Sequence, residues 1–335
     1  MITQRSYPTT RLRRMRTDDP TRRLQRECRV SVDDLLLPSF VCAGDKIEEA
    51  IASMPLCNRL SIDRLVSQAS QARELGIPGM LIFPVIDPSL KSPQGKEATN
   101  TEGLVQKAIA AIKREVPGIL VFSDIALDPY TSHGQDGILD DRGQVDNDAT
   151  IEVLAEQAIS HAKAGADVVS PSDMMDGRIG VIRQRLDKAG FSNTRIMSYA
   201  AKYASALYGP FRDAVGSNAA LAGGDKKSYQ MDPANRREAL REAEMDIGEG
   251  ADMLLVKPGG FYLDVLSDIK SSFGMPTFVY QVSGEYSMIK AAAANGWIKE
   301  RDVVLESLLA FKRAGADAIV SYYALQAAKW LREQN

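Results

Sequence analysis

"DATIEVLAEQAISHAKAGADVVS", residues 148–170, contains one full repeat of the pattern that decides the fold. Its first part has helical spacing, Gly165 stands where a helix needs a left-handed C-cap, and a short apolar run follows from Val168 to Ser170. The same text recurs at residues 300–321, "ERDVVLESLLAFKRAGADAIVS", again with AGAD between helix and strand. "ARELGIPG" and "EMDIGEGAD" are looser versions of the same turn.

Working outward, short apolar runs predict strands at 35–41, 80–85, 119–122, 168–170, 195–199, 253–256, 277–282 and 318–322. Continuous apolar runs bounded by Gly or Pro suit parallel strands buried on both faces. Amphipathic segments separate them; Ile62, Leu65, Val66, Ala69 and Ala72 form one such stripe, closed by Gly76. Eight strands alternating with helices predict a closed (β/α)8 barrel, a TIM barrel. A doubly wound open sheet is the alternative, but no GxGxxG follows the first strand.

The chain has 335 residues, 44% hydrophobic and 25% charged, and a formal net charge of −3, which gives no global reason to expect a nucleic-acid partner. Cys28, Cys42 and Cys57 lack CxxC spacing and read as reduced thiols. Two histidines, His133 and His161, exclude a histidine-rich metal site. No run approaches the ~18 apolar residues of a membrane span, so a cytoplasmic location is expected. Residues 1–30 are Arg-rich, a composition shared by solvated arms, arms that pack on a partner subunit, and transit peptides. The domain reading is an arm over 1–30 and a catalytic barrel over 31–335.

Barrel enzymes place their chemistry where strands end and βα loops begin. Asp124 ends the third predicted strand, and Asp128 and Asp136 lie in the long loop that follows, "SDIALDPYTSHGQDG". Lys202 stands just beyond the fifth strand and Lys257 at the end of the sixth. Adjacent strands bring these two amines together in an apolar mouth. Burial and mutual repulsion both favour the neutral, nucleophilic amine, which forms Schiff bases with ketones or aldehydes. Arg212, Lys226 and Gln230 lie in a Gly-punctuated loop after the fifth strand, and Ser283 and Tyr322 at the ends of the seventh and eighth. Cations and hydroxyls at one rim suit a substrate carboxylate, so the residues describe a site for an acidic carbonyl compound.

"SPSDMMDGRIG", "SYAAKYASALYGPFRDAVGS", "KKSYQMDPANRREAL", "LLVKPG", "VYQVSGEYSMI" and "AFKRAGADAIVSYYA", in this order, resemble the porphobilinogen synthases, the 5-aminolevulinic acid dehydratases. The resemblance covers essentially the whole chain. It implies condensation of two 5-aminolevulinate molecules to porphobilinogen with loss of two waters, a step of tetrapyrrole (heme) synthesis. It implies Lys202 and Lys257 as the Schiff-base lysines. Ser283 and Tyr322 would hold one substrate carboxylate, and Arg212, Lys226 and Gln230 the other. Asp124 would orient, or take a proton from, the second substrate's amine.

Zinc-dependent members of the family carry three cysteines in the loop after Asp124. Here the positions are Ala126, Asp128 and Asp136, which offer hard oxygens and a methyl group instead. The resemblance therefore implies the magnesium-responsive branch without zinc, with Glu242 binding an activating Mg²⁺ away from the chemistry. It also implies an octamer in which the N-terminal arms embrace neighbouring barrels. A class I aldolase, needing one Schiff-base lysine, and a nucleic-acid-binding barrel using the basic arm are the competing readings.

Overall fold

In the computed structural model, residues 5–216, 221 and 224–333 are described. Eight parallel strands, each followed by helical or loop segments, close into a barrel: β1 (Leu35–Cys42), β4 (Gly79–Val85), β5 (Leu120–Ile125), β6 (Val168–Pro171), β7 (Arg195–Lys202), β8 (Met253–Lys257), β9 (Thr277–Gln281) and β10 (Ala318–Ser321). Closure comes from β10 pairing back onto β1, with Leu35 opposite Ile319 and Leu36 opposite Val320. The predicted TIM barrel is the observed one.

The AGAD turns work as their composition requires. Gly165 and Gly315 have φ of 106° and 108°, conformations that strain any residue with a Cβ. The helix before Gly165, Asn147–Ala164, starts where the Asp146 carboxylate accepts from the Ala149 N–H at 3.0 Å.

Three strands run further than their apolar cores suggest. β5 continues through Ser123 and Asp124 to Ile125, and β7 continues through Ala200 and Ala201 to Lys202 after a register shift between Ser198 and Ala201. β8 includes Lys257 itself. The functional residues thus sit on strand backbone rather than in the loops beyond it. Polar side chains ended the apolar runs in sequence, but these side chains point into the barrel mouth, where the ladder still pairs Asp124 with Ser170.

A short antiparallel hairpin, β2 (Glu48–Ala50) and β3 (Asn58–Leu60), extends the sheet beside β1 and has no counterpart in the sequence reading. Its strands of three residues are too short for a period-2 signal. Arg59 on this hairpin donates to the carbonyls of Ala214 (2.7 Å) and Asp213 (2.8 Å). That ties it to the C-terminal end of the helix carrying Arg212, Gly209–Val215. Part of the Gly-punctuated loop, residues 217–220 and 222–223, lies outside the described residues.

The loop from 126 to 146 is as long as expected but closely packed, with Ala126, Leu127, Tyr130 and Asp136 all buried. Ahead of the barrel, residues 12–24 form a 3₁₀ turn and one short helix, and Tyr7, Leu12, Met15 and Leu24 are exposed.

Candidate active site

Lys202 and Lys257 are direct cross-strand partners at the ends of β7 and β8, and both are buried. Their surroundings differ. Lys202 Nζ donates to the Ser172 carbonyl and lies 3.5 Å from Asp136 Oδ2. Lys257 Nζ instead sits among aromatic rings, 4.7 Å from the centroid of Tyr280, 5.1 Å from Phe211, and 5.3 Å from both Tyr199 and Tyr208. Among the described residues no carboxylate lies within 4 Å of it. Burial, and after it the charge of Lys202, brings the Lys257 amine down to about 7. Ring faces attract an ammonium, yet they cannot replace the water it has lost. A substantial share of this amine is therefore neutral and nucleophilic near neutral pH.

Asp124, on β5, is pushed up to about 7 by burial first and by Asp128 second, with Lys202 pulling the other way. Its Oδ1 has no hydrogen-bond partner. A buried carboxyl poised near neutrality can both give and take a proton.

The long loop meets the Gly-punctuated one through an ion cluster. Lys226 Nζ lies 2.6 Å from Asp136 Oδ1 and 3.0 Å from Asp128 Oδ2. Burial opposes all three charges. For Lys226 the two carboxylates outweigh it and hold the amine above its ordinary value. For Asp136, Lys226 and Lys202 outweigh it and hold the carboxyl below. Asp128 remains raised, by burial and by Asp136. Lys226 was expected beside a substrate carboxylate with Arg212 and Gln230. In the structure its ammonium is engaged by Asp128 and Asp136, because the buried loop brings two carboxylates within reach. Gln230 is buried with Oε1 unpartnered among the described residues, and Arg212 is half-buried.

Ser283 and Tyr322 come together as the sequence reading required. With Lys257, Tyr208, Phe211, Tyr280 and Val282 they line one closely packed pocket that leaves no room for a water molecule. The Ser283 hydroxyl accepts from the Phe211 N–H at 3.0 Å, and the Tyr322 and Tyr280 hydroxyls lie 3.0 Å apart.

Sequence reasoning missed the aromatic surround of Lys257 and the role of Ser172. Tyr208 and Phe211 come from the segment after β7, and no spacing rule announces that they fold back over β8. Ser172, two residues after Ser170 in "SPSDMMDG", was visible as a strand-end polar residue.

Glu242 stands apart, on the helix Glu238–Glu249, half-buried along a polar groove of about 740 Å³ that Asp176, Glu238, Lys227 and Gln230 also line. Burial raises its carboxyl, Arg178 lowers it, and Asp246, Asp176 and Glu238 raise it further. Among the described residues no three His, Cys, Asp or Glu side chains group as metal ligands, and all three cysteines are free.

The family described as delta-aminolevulinic acid dehydratase matches residues 9–330. The chain belongs to this family. A delta-aminolevulinic acid dehydratase of Bradyrhizobium diazoefficiens is 55% identical over 97% of this chain and 91% of its own length. One from Bacillus subtilis (strain 168) is 50% identical over 98% of this chain and 100% of its own. The crystal structure of the Toxoplasma gondii ME49 delta-aminolevulinic acid dehydratase (porphobilinogen synthase), in complex with the reaction product porphobilinogen, superposes with a TM-score of 0.95 at 50% identity. It covers 97% of this chain and 92% of that one. The paired lysines thus lie in a family whose members include an enzyme seen with a pyrrole product.

Proposed function

We propose that this protein condenses two 5-aminolevulinate molecules to porphobilinogen, releasing two waters, through Schiff bases on Lys202 and Lys257. The observation that carries the reading is the pair of buried amines in direct register, one of them titrating to about 7 within an aromatic enclosure. An aldolase of the one-lysine type has no use for the second amine, and a nucleic-acid-binding barrel has no use for either.

The neutral Lys257 amine attacks the ketone carbon of one substrate, whose carboxylate is held by Ser283 and Tyr322. The carbonyl oxygen then leaves as water after gaining protons, and Asp124 is the buried acid able to relay them. Lys202 takes the ketone of the second substrate after passing its ammonium proton to a neighbouring carboxylate, and that carbonyl oxygen likewise leaves as water. Its ammonium already has the Asp136 carboxylate nearby, which stabilises the positive iminium that replaces it. Arg212 and Gln230 receive the second carboxylate, and Lys226 holds Asp128 and Asp136 in place beneath it. Incubation with 5-aminolevulinate should yield porphobilinogen, and borohydride should trap a substrate adduct on Lys257. Absence of a pyrrole product under any metal condition overturns the proposal.

The metal reading is also ours. Mg²⁺ keeps much of its water and needs one or two carboxylates. Glu242, whose carboxyl is raised by burial first and after it by Asp246, Asp176 and Glu238 against the pull of Arg178, would hold such an ion as a single carboxylate with water completing the shell, and the ion would supply neutralising charge to this acidic wall. Around Asp124, Lys226 engages one oxygen each of Asp128 and Asp136, Ala126 offers no donor, and the remaining ligands are hard carboxylate oxygens without a thiolate, so these residues do not fit the thiolate type of zinc site. The exposed Tyr7, Leu12, Met15 and Leu24 support an arm over residues 1–30 that packs on a neighbouring subunit of an octamer, in a cytoplasmic enzyme.

A further inference from the structure

Glu285 is buried, only 7% exposed, and belongs to none of the groups described above. It occupies the third position of the helix Ser283–Ala294, where a Glu ordinarily reaches back to the cap N–H and remains in water. Here Oε2 does accept from the cap residue, Val282, at 2.8 Å. Oε1, however, crosses to another strand's loop and accepts from the Gly260 N–H at 2.7 Å. The two bonded N–H groups belong to two of the chain segments that build the Lys257 pocket. Gly260 is three residues beyond Lys257, and Val282 immediately precedes Ser283.

The segments are shaped for this contact. A Cβ on Gly260 would stand 2.4 Å from Glu285 Oε1, and one on Gly284 would stand 2.5 Å from the Leu207 carbonyl. Gly260 has no positive φ, so what demands glycine there is the approach of the carboxylate and not the backbone. The Ser283 hydroxyl, set by the same turn, in turn receives the Phe211 N–H, and the Phe211 ring packs against Lys257.

We infer that Glu285 is a positioning residue for the reaction: its carboxylate staples the Lys257 loop to the Ser283 turn and so fixes the distance between the Schiff-base amine and the substrate carboxylate site. A simple helix cap would need one oxygen; the staple needs both. The inference rests on the function proposed above, because that function is what makes the Lys257–Ser283 spacing matter.

Two substitutions break the staple from opposite ends. Glu285→Gln keeps one acceptor oxygen and turns an NH₂ group toward the other N–H. Gly260→Ala displaces Oε1 and leaves the cap to Val282 in place. Each variant should raise KM for 5-aminolevulinate and slow borohydride trapping at Lys257 by about tenfold, as small misplacements of reacting groups do. Trapping at Lys202 should remain at the wild-type rate. The double variant should be no worse than the poorer single one, since both remove the same link. Wild-type trapping at Lys257 in both variants overturns the inference, as does a double variant whose losses multiply, or equal loss at both lysines. Should Glu285→Gln not fold, Gly260→Ala decides alone by the same measurements. Failure of the wild-type protein to form porphobilinogen strikes the proposed function instead, and is read from a separate sample.

Discussion

Replacing Lys202 by Met tests whether the second amine tunes the first as well as reacting itself. The two Cα atoms are cross-strand partners, on strands about 4.8 Å apart. With the ammonium groups taken as about 6 Å apart and an effective dielectric near 20, their repulsion is roughly 2.8 kcal/mol. That alone would move the Lys257 amine about two pH units to the alkaline side. Lys202 also holds Asp124 down, so its loss lets Asp124 protonate and weakens the pull of that carboxylate on Lys257. The net displacement should be about one pH unit, which reduces the neutral amine at pH 7 from about half to about one tenth. Single-turnover trapping of 5-aminolevulinate on Lys257 by borohydride, followed from pH 6 to 9 by mass spectrometry, reads this directly. The expected result is an alkaline displacement of the midpoint and roughly fivefold slower trapping at pH 7. A midpoint unchanged, or displaced to acid, would refute the electrostatic reasoning while leaving the Schiff base itself untouched.

Lys257→Met should stabilise the protein at neutral pH. The folded amine titrates near 7 against 10.5 when unfolded, so the unfolded chain binds more protons between those values. Wild-type stability therefore rises with pH across that window relative to the Met variant, and the deficit at pH 7 is on the order of 4 kcal/mol at most, measurable by thermal denaturation. Lys226→Met should have the opposite effect, costing about 3–5 kcal/mol because Asp128 and Asp136 remain buried without their partner. Equal melting temperatures of this variant and wild type would show the cluster to be solvated. Activity should survive a zinc-selective chelator and fall with EDTA, and the Mg²⁺ response should vanish in Glu242→Ala; stoichiometric zinc whose removal abolishes turnover would overturn the metal reading.

The barrel was legible because its signal is local and repeated: a helical stripe, a Gly C-cap, an apolar run. The two lysines were legible because consecutive barrel strands are neighbours, so two strand-end positions in sequence become one place in space. The strand limit at Lys202 was not, since a polar residue facing the mouth ends an apolar run without ending the ladder. The destination of Lys226 was also hidden. Its charge and its loop were plain, but the choice between a substrate carboxylate and Asp128 with Asp136 depends on contacts 90 and 98 residues apart. The hairpin at 48–60 left no signal for the same reason, because what holds it is Arg59 against a helix more than 150 residues away.

Three aspartates gather at the end of one strand because three lysines converge on the same mouth. Lys202, Lys226 and Lys257 face Asp124, Asp128 and Asp136, so the buried charges balance in number. They do not balance in the same way everywhere. Around Lys226 the contacts are short and charge separation is locked in, with the amine raised and Asp136 lowered. Around Lys257 no carboxylate among the described residues lies within 4 Å, and both this amine and Asp124 titrate near 7. Protons can be exchanged at little cost only among groups whose affinities are similar and near ambient pH. The Lys226 cluster therefore joins the two loops, and the Lys257–Asp124 region is the part of the mouth whose groups titrate near neutrality.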